Sequence, residues 1–170
     1  MGSLAVAAIP VLLLAQGVMG GIDTLLNHEL VERLPRRTSA GRELGWHALR
    51  ELNYGMLFAG LAWFEWHGLA ALAVAFLLAA EVVVTAVDEA VENRTRVLPQ
   101  GERVLHVFLT LNLGLLIAVL APTLWGWGGL PTGLEAADHG AYAWALSALS
   151  IAAFGWAVRD TLAWRRLGRR

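Results

Sequence analysis

The segment Glu102–Gly114 reads ERVLHVFLTLNLG and opens an apolar run with Glu102 and His106 four residues apart. Residues at this spacing lie on one face of an α-helix. A second segment, Glu43–Gly55, reads ELGWHALRELNYG and repeats the pattern. Aligned without gaps, the segments share Glu43/Glu102, His47/His106, Leu52/Leu111, Asn53/Asn112 and Gly55/Gly114. Because Glu, His and Asn are rare in membrane helices, we interpret the two segments as an internal duplication.

The similarity extends backwards into the helix that precedes each segment. With a longer first loop, Asp23 aligns with Asp88, and Gln16 aligns with Glu81. Each unit is then a helical hairpin, with repeat 1 at about residues 4–66 and repeat 2 at about residues 69–121. Two hairpins of the same orientation are expected to be related by a pseudo-two-fold axis along the membrane normal.

The composition is typical of an integral membrane protein. Hydrophobic residues make up 57 % of the 170-residue chain, and charged residues make up 16 %. Apolar runs of about twenty residues recur, which is the length that crosses a bilayer as a helix. The chain has no cysteine, and this excludes disulfides and thiolate metal ligands. We predict an all-α integral membrane protein with a single transmembrane domain over residues 1–170, because the runs lack the alternation of a membrane β-barrel.

We predict five transmembrane helices. The first four form a bundle of two repeated hairpins, and the additional fifth helix, at about residues 141–164, packs outside it. The spans run from Leu4 to about Leu34, from about Ser39 to Trp66, from Leu69 to about Val97, from Gly101 to Leu120 and from about Ala141 to Trp164.

The arginines predict the orientation. All thirteen basic residues are arginine, and they cluster around the first and third loops and at the end of the chain. By the positive-inside rule, we expect a multi-pass cell-membrane protein with its N-terminus outside and its C-terminus in the cytoplasm. The first apolar segment lacks the basic start and the cleavage site of a secretory signal, so we expect it to remain as a helix.

In such a bundle, polar residues of all four helices meet at one depth on the cytoplasmic side. They fall on helical stripes at spacings of three, four or seven residues. The candidate metal ligands are Asp23, Glu43, His47, Glu51, Glu81, Asp88, Glu92, Glu102 and His106. His28 is a weaker candidate, because it lies roughly 140° around an α-helix from Asp23.

So many acids need a compensating charge. A single aspartate at the centre of a membrane helix costs roughly 2.5–3.5 kcal/mol. Arg50 is the only arginine within the first four spans that is well placed to pair with them. We therefore expect bound divalent metal, in a dinuclear site, with iron as the first choice and manganese or zinc as alternatives. Soluble di-iron bundles use inward-facing acids and Glu-x-x-His pairs, whereas this chain has Glu-x-x-x-His, so the parallel concerns site design alone.

The predicted function is a di-iron-type oxidoreductase that acts on a lipid-soluble substrate from the bilayer. A divalent-ion transporter or sensor is the alternative, although the outer halves of the spans are almost wholly apolar and offer no ion path unless a homo-oligomer supplies one. A third possibility is a haem bound between His47 and His106. The neighbouring acids count against it, because the haem would have to desolvate them. A zinc hydrolase would use Glu51 or Glu92 as its catalytic base. No feature of the sequence indicates nucleic-acid binding.

Overall fold

The computed structural model describes the backbone of residues 3–168 and the side chains of residues 7–168. This part of the chain is mostly helical, which confirms the predicted all-α class. The long helices are α1 at Ser3–Ile22, α2 at Gly41–Trp63, α3 at Ala71–Thr95, α4 at Gln100–Gly128 and α5 at Ala141–Leu167. A π-helix at Asp23–Val31 continues α1, and short 3-10 turns lie at Leu34–Arg36, Thr38–Ala40 and Gly68–Ala70.

The bundle has two chemically different ends. At one end, strand β1 at Phe64–His67 pairs antiparallel with strand β2 at Gly133–Ala136, and we call this the sheet end. The other end carries the α1–α2 and α3–α4 connections, at residues 32–40 and 96–99, and we call it the loop end. Because consecutive helices connect at alternating ends, each long helix runs the length of the bundle.

Four helical segments of the described chain are long and apolar enough to cross a membrane. They are Ala7–Val31, Gly68–Thr95, Gln100–Gly128 and Ala141–Leu167. The fold is therefore compatible with a membrane protein. Helix α2 is not among the four, because its first half is rich in polar residues such as Glu43, His47 and Arg50. A fifth transmembrane helix stays a prediction.

Helix α5 does not pack outside the bundle as predicted. It lies against both α1 and α2, and these two helices contact each other little. Ser150 Oγ donates a hydrogen bond to the Gly55 carbonyl of α2 at 2.8 Å, and Trp63 Nε1 of α2 donates to Ser147 Oγ of α5 at 2.9 Å. The glycine allows the close approach, since Phe154 occupies the space that a Cβ at position 55 would need. The prediction was wrong because it considered only the repeated hairpins.

The hydrophobic core fills the half of the bundle nearer the sheet end. Its fully buried side chains include Leu13, Leu57, Leu116 and Leu120. A small second cluster around Leu34 packs at the loop end. The buried polar side chains described next lie between these two clusters.

Candidate metal centre

Asn53 and Asn112, which the sequence alignment treats as equivalent, make corresponding contacts in α2 and α4. Asn53 Nδ2 donates to Glu81 Oε2 at 2.8 Å, and Asn112 Nδ2 donates to Gln16 Oε1 at 2.7 Å. Each amide also donates, at 3.0 Å, to the main-chain carbonyl four residues before that partner. Glu81 and Gln16 are themselves aligned positions, so the two hairpins dock on each other through matching bonds.

The two aligned histidines, His47 and His106, also make corresponding contacts. His47 Nε2 lies 3.3 Å from Asp88 Oδ2, and His106 Nε2 lies 3.2 Å from Asp23 Oδ2. Asp88 and Asp23 are aligned as well. Each histidine therefore faces the aspartate of the other hairpin.

His28 lies at the centre of the cluster, although the sequence interpretation ranked it lower. Its Nε2 is 3.4 Å from Asp23 Oδ2 and 3.6 Å from Glu102 Oε1, and its ring stacks on His47 with centroids 4.2 Å apart. The cause is the π-helix, whose i→i+5 hydrogen bonds bring residue 28 onto the face of residue 23. The sequence interpretation assumed an α-helix, in which His28 and Asp23 lie on different faces. The sequence carries no clear signal of this change in winding.

Glu92 lies between the two aligned histidines. Its Oε1 is 3.0 Å from His47 Nε2, and its Oε2 is 3.6 Å from His106 Nδ1. The side chain is buried on α3, one turn beyond Asp88. The two oxygens of Glu92 therefore face different histidines.

Three groups of side chains in the described chain could each hold a metal ion, because their ligand atoms lie within 4.8 Å of one another. The groups are Asp23, His28, Glu102 and His106; His28, His47 and Glu92; and Glu89, Glu92 and His106. Each group shares at least one residue with each of the others, so they form one continuous site. His28 Nε2 and Glu92 Oε2 make no hydrogen bond although both are buried. Such atoms are costly unless another ligand satisfies them.

Arg96, which the sequence places at the end of the third span beside the loop, reaches into the centre. Its side chain is only 4 % exposed. The guanidinium donates to Glu43 Oε1 at 2.9 Å and to both carboxylate oxygens of Glu102. The prediction that Arg50 alone could pair with these acids was therefore wrong. Glu43 is held by this arginine and does not belong to the three metal-binding groups of the described residues.

Arg50 pairs with acids of α3. Its Nη2 lies 3.0 Å from Asp88 Oδ2, and its Nε lies 3.7 Å from Glu81 Oε1. Glu81 also accepts a hydrogen bond from Thr85 Oγ1 at 3.2 Å. The structure thus surrounds this mid-helix carboxylate with donors and leaves it outside the three groups. The buried position of Glu81, which the sequence predicts, therefore joins α3 to α2 through Asn53 and Arg50.

The arginines leave part of the negative charge uncompensated. Two guanidiniums, those of Arg50 and Arg96, face six buried carboxylates in the described cluster: Asp23, Glu43, Glu81, Asp88, Glu92 and Glu102. Buried carboxylates need pairing with a cation or protonation. The remaining charge falls on the side where the three histidines meet, and a divalent cation would neutralise it there.

A cavity of about 310 Å³ adjoins the three histidines. All five helices contribute to its wall, and the side formed by α1, α4 and α5 is largely apolar. Glu51 lies on this wall, outside the three groups, and its Oε2 has no hydrogen-bond partner. Glu51, a predicted ligand, therefore lines the cavity, as do the predicted ligands Asp23, His47, Glu81 and His106.

Comparison with known proteins returns no counterpart. No protein-family model matches the chain, and neither a curated protein nor a solved structure matches it. The chemistry of the centre must therefore be inferred from its own ligands and their geometry.

Proposed function

We propose that this chain is a membrane-embedded metalloprotein that holds two divalent ions and acts as an oxidoreductase on a lipid-soluble substrate. The observation that carries the proposal is the overlap of three ligand groups, two of which share the buried carboxylate of Glu92. Carboxylates and imidazoles together form the ligand class used by iron, manganese and zinc. Iron is our first choice, because di-iron centres are commonly built inside four-helix bundles.

The ligands divide between two ion positions. Asp23, His28 and His106 would hold the first ion, with Glu102 beside them. His47 would hold the second, beside His28. Asp88, a predicted ligand, lies 3.3 Å from His47 Nε2 but outside the three groups, and it pairs with Arg50. Glu92 would serve both, since its two oxygens face different histidines. This assignment names a bridging residue, which the sequence left open.

The cavity supports catalysis at this centre. A pair of iron ions bound there would supply redox chemistry that side chains alone lack. The apolar wall suits a substrate from the bilayer, and its contact with three histidines would bring that substrate close to the ions. Glu51 and Glu92, the predicted catalytic carboxylates, lie on the cavity wall and within the centre respectively. Glu51 is the better-placed base, because Glu92 would be occupied as a ligand.

The internal duplication is part of the proposal. The matching contacts of Asn53 with Asn112, and of His47 with His106, support two related hairpins. Helix α2 would then be a fifth span, because it runs between the same two ends as the other helices. Its 23 residues extend roughly 35 Å, enough for the hydrocarbon core. Its polar side chains are tolerated because α3 and α5 cover them.

The alternatives receive less support. A transport path would have to pass the core of the sheet-end half, where Leu13, Leu57 and Leu116 are fully buried. A haem between His47 and His106 would displace Glu92, which contacts both rings. These residues favour a site that opens on one side and binds ions directly.

Elemental analysis of the protein purified in detergent tests the proposal. After exposure to iron, manganese or zinc, we expect two ions per chain, and we expect them to be lost when His47→Ala and His106→Ala are combined. His67→Ala is the matched control, because His67 lies in β1 at the sheet end. A folded protein that takes up none of these metals would contradict the proposal. A Soret band in the optical spectrum would instead indicate haem.

A further inference from the structure

Small residues of α1 and α5 form part of the wall of the cavity beside the candidate centre. Gly20 and Gly21 of α1 and Ala152 and Ala153 of α5 line it on this side. Gly21 and Ala152 are both exposed. Small residues on two facing helices leave the space open, and a Cβ at either glycine would meet no atom within 4 Å. In a bilayer, a gap between these two helices would face acyl chains.

Two polar atoms without partners belong to residues of the cavity wall. Trp156 Nε1 on α5 is a donor that makes no hydrogen bond, and Glu51 Oε2 on α2 is a carboxylate oxygen that accepts none. Unpaired buried groups of this kind cost roughly 1–3 kcal/mol each. A hydroxyl group within hydrogen-bond reach of both atoms would satisfy them, because it accepts one hydrogen bond and donates another.

In the metal-free protein, acids outnumber arginines on the cavity wall. Asp23, Glu51, Glu81 and Glu89 all line the cavity. Arg50, the arginine on its wall, is already paired with Asp88. Without bound metal, a fatty-acid carboxylate would meet mostly acidic side chains, whereas a neutral head group would avoid this repulsion. The volume, about 310 Å³, matches the lower end of known ligand sites, roughly 300–1,000 Å³.

We propose that the cavity binds a neutral, lipid-soluble molecule with a hydroxyl head group, such as a long-chain alcohol or a phenol, which enters from the bilayer between α1 and α5. The hydroxyl accepts from Trp156 and donates to Glu51, and the apolar body lies along the glycines of α1. The proposal deepens the proposed function by naming its substrate class. Binding itself needs no metal, so the two can fail separately.

Photolabelling tests this binding site. The probe is a long-chain alkyl alcohol that carries a diazirine, applied to the protein in lipid nanodiscs and mapped by mass spectrometry. We expect labels on the cavity faces of α1 and α5. An unlabelled alcohol should compete at least tenfold better than the fatty acid or the hydrocarbon of equal chain length. Equal competition by the fatty acid would overturn the proposed head group.

Matched variants separate the opening from the head-group contact. Gly21→Phe should block labelling, whereas Gly114→Phe should not, because Gly114 is exposed on α4 and lies outside the cavity wall. Trp156→Phe keeps a ring but removes the donor, and it should weaken alcohol competition about fivefold, the value of one ordinary hydrogen bond. Full labelling of Gly21→Phe would overturn the entry route.

Metal content measured on the same samples distinguishes the two proposals. Gly21→Phe protein that loses the label but keeps its metal supports the entry route. Labelled protein that binds no metal would refute the metal centre and leave the cavity proposal standing. Metal-loaded wild-type protein without a label in the cavity would refute the cavity proposal alone.

Discussion

His28 Nε2 lies 3.4 Å from Asp23 Oδ2, although the two residues are five positions apart on one helix. An α-helix would place them on different faces. The π-helix at Asp23–Val31 places them together and presents both to Glu102 and His106 of α4. Single π-turns are often found at functional sites. The local winding therefore adds a histidine to the candidate centre.

We predict that His28→Ala lowers metal content as strongly as His47→Ala does. His28 belongs to two of the three ligand groups, so its loss leaves both with fewer donors. Elemental analysis after metal loading measures the effect, and His139→Ala provides a control at a residue outside those groups. Full metal occupancy in His28→Ala would remove this residue from the proposed centre.

Arg96→Met should destabilise the fold by roughly 3–5 kcal/mol, the cost of breaking a buried ion pair. The change leaves Glu43 and Glu102 buried without their common cation. Thermal unfolding in detergent should show a lower Tm. Arg94→Met and Arg103→Met are controls, because both arginines are exposed and their loss should change stability by less than about 0.5 kcal/mol. The same Tm for all three variants would refute a stabilising role for the pairing of Arg96 with Glu43 and Glu102.

Gly55→Leu should destabilise the protein by about 1–3 kcal/mol, whereas Gly114→Leu should have little effect. The two glycines are aligned in the repeats, but only Gly55 lies against Phe154 of α5. The pair thus measures what contact with α5 adds at one of two aligned positions. Thermal unfolding of the two variants gives the comparison. Equal losses of stability would mean that α5 does not pack along α2 as described.

A reporter fused after Arg170 should be active in the cytoplasm, and one inserted between Gly128 and Gly129 should be active outside. The loop end carries arginines in both connections, whereas residues 64–70 and 128–140 at the sheet end contain none. The positive-inside rule then places the loop end in the cytoplasm. Enzymatic reporters that work on only one side of the membrane measure this. The reversed pattern would invert the orientation and place the centre near the outer surface.

Much of the candidate centre could be predicted from the sequence, because spacing on an α-helix fixes which side chains share a face. Asp23, His47, Glu92, Glu102 and His106 were expected together, and they fall in the ligand groups of the structure. Glu43 and Glu81 have the same spacing signal but are occupied by arginine or amide partners. Spacing along one helix does not reveal which partner another helix supplies.

The sequence by itself determined the helical class, the apolar segments and the pairing of ELGWHALRELNYG with ERVLHVFLTLNLG, since these depend on local periodicity and composition. Only the tertiary structure decided the rest. Residues 23–31 form a π-helix, Arg96 points inward and pairs with two glutamates, and α5 packs beside α2. These choices depend on contacts between segments far apart in the chain, where burial and charge pairing outweigh local preference.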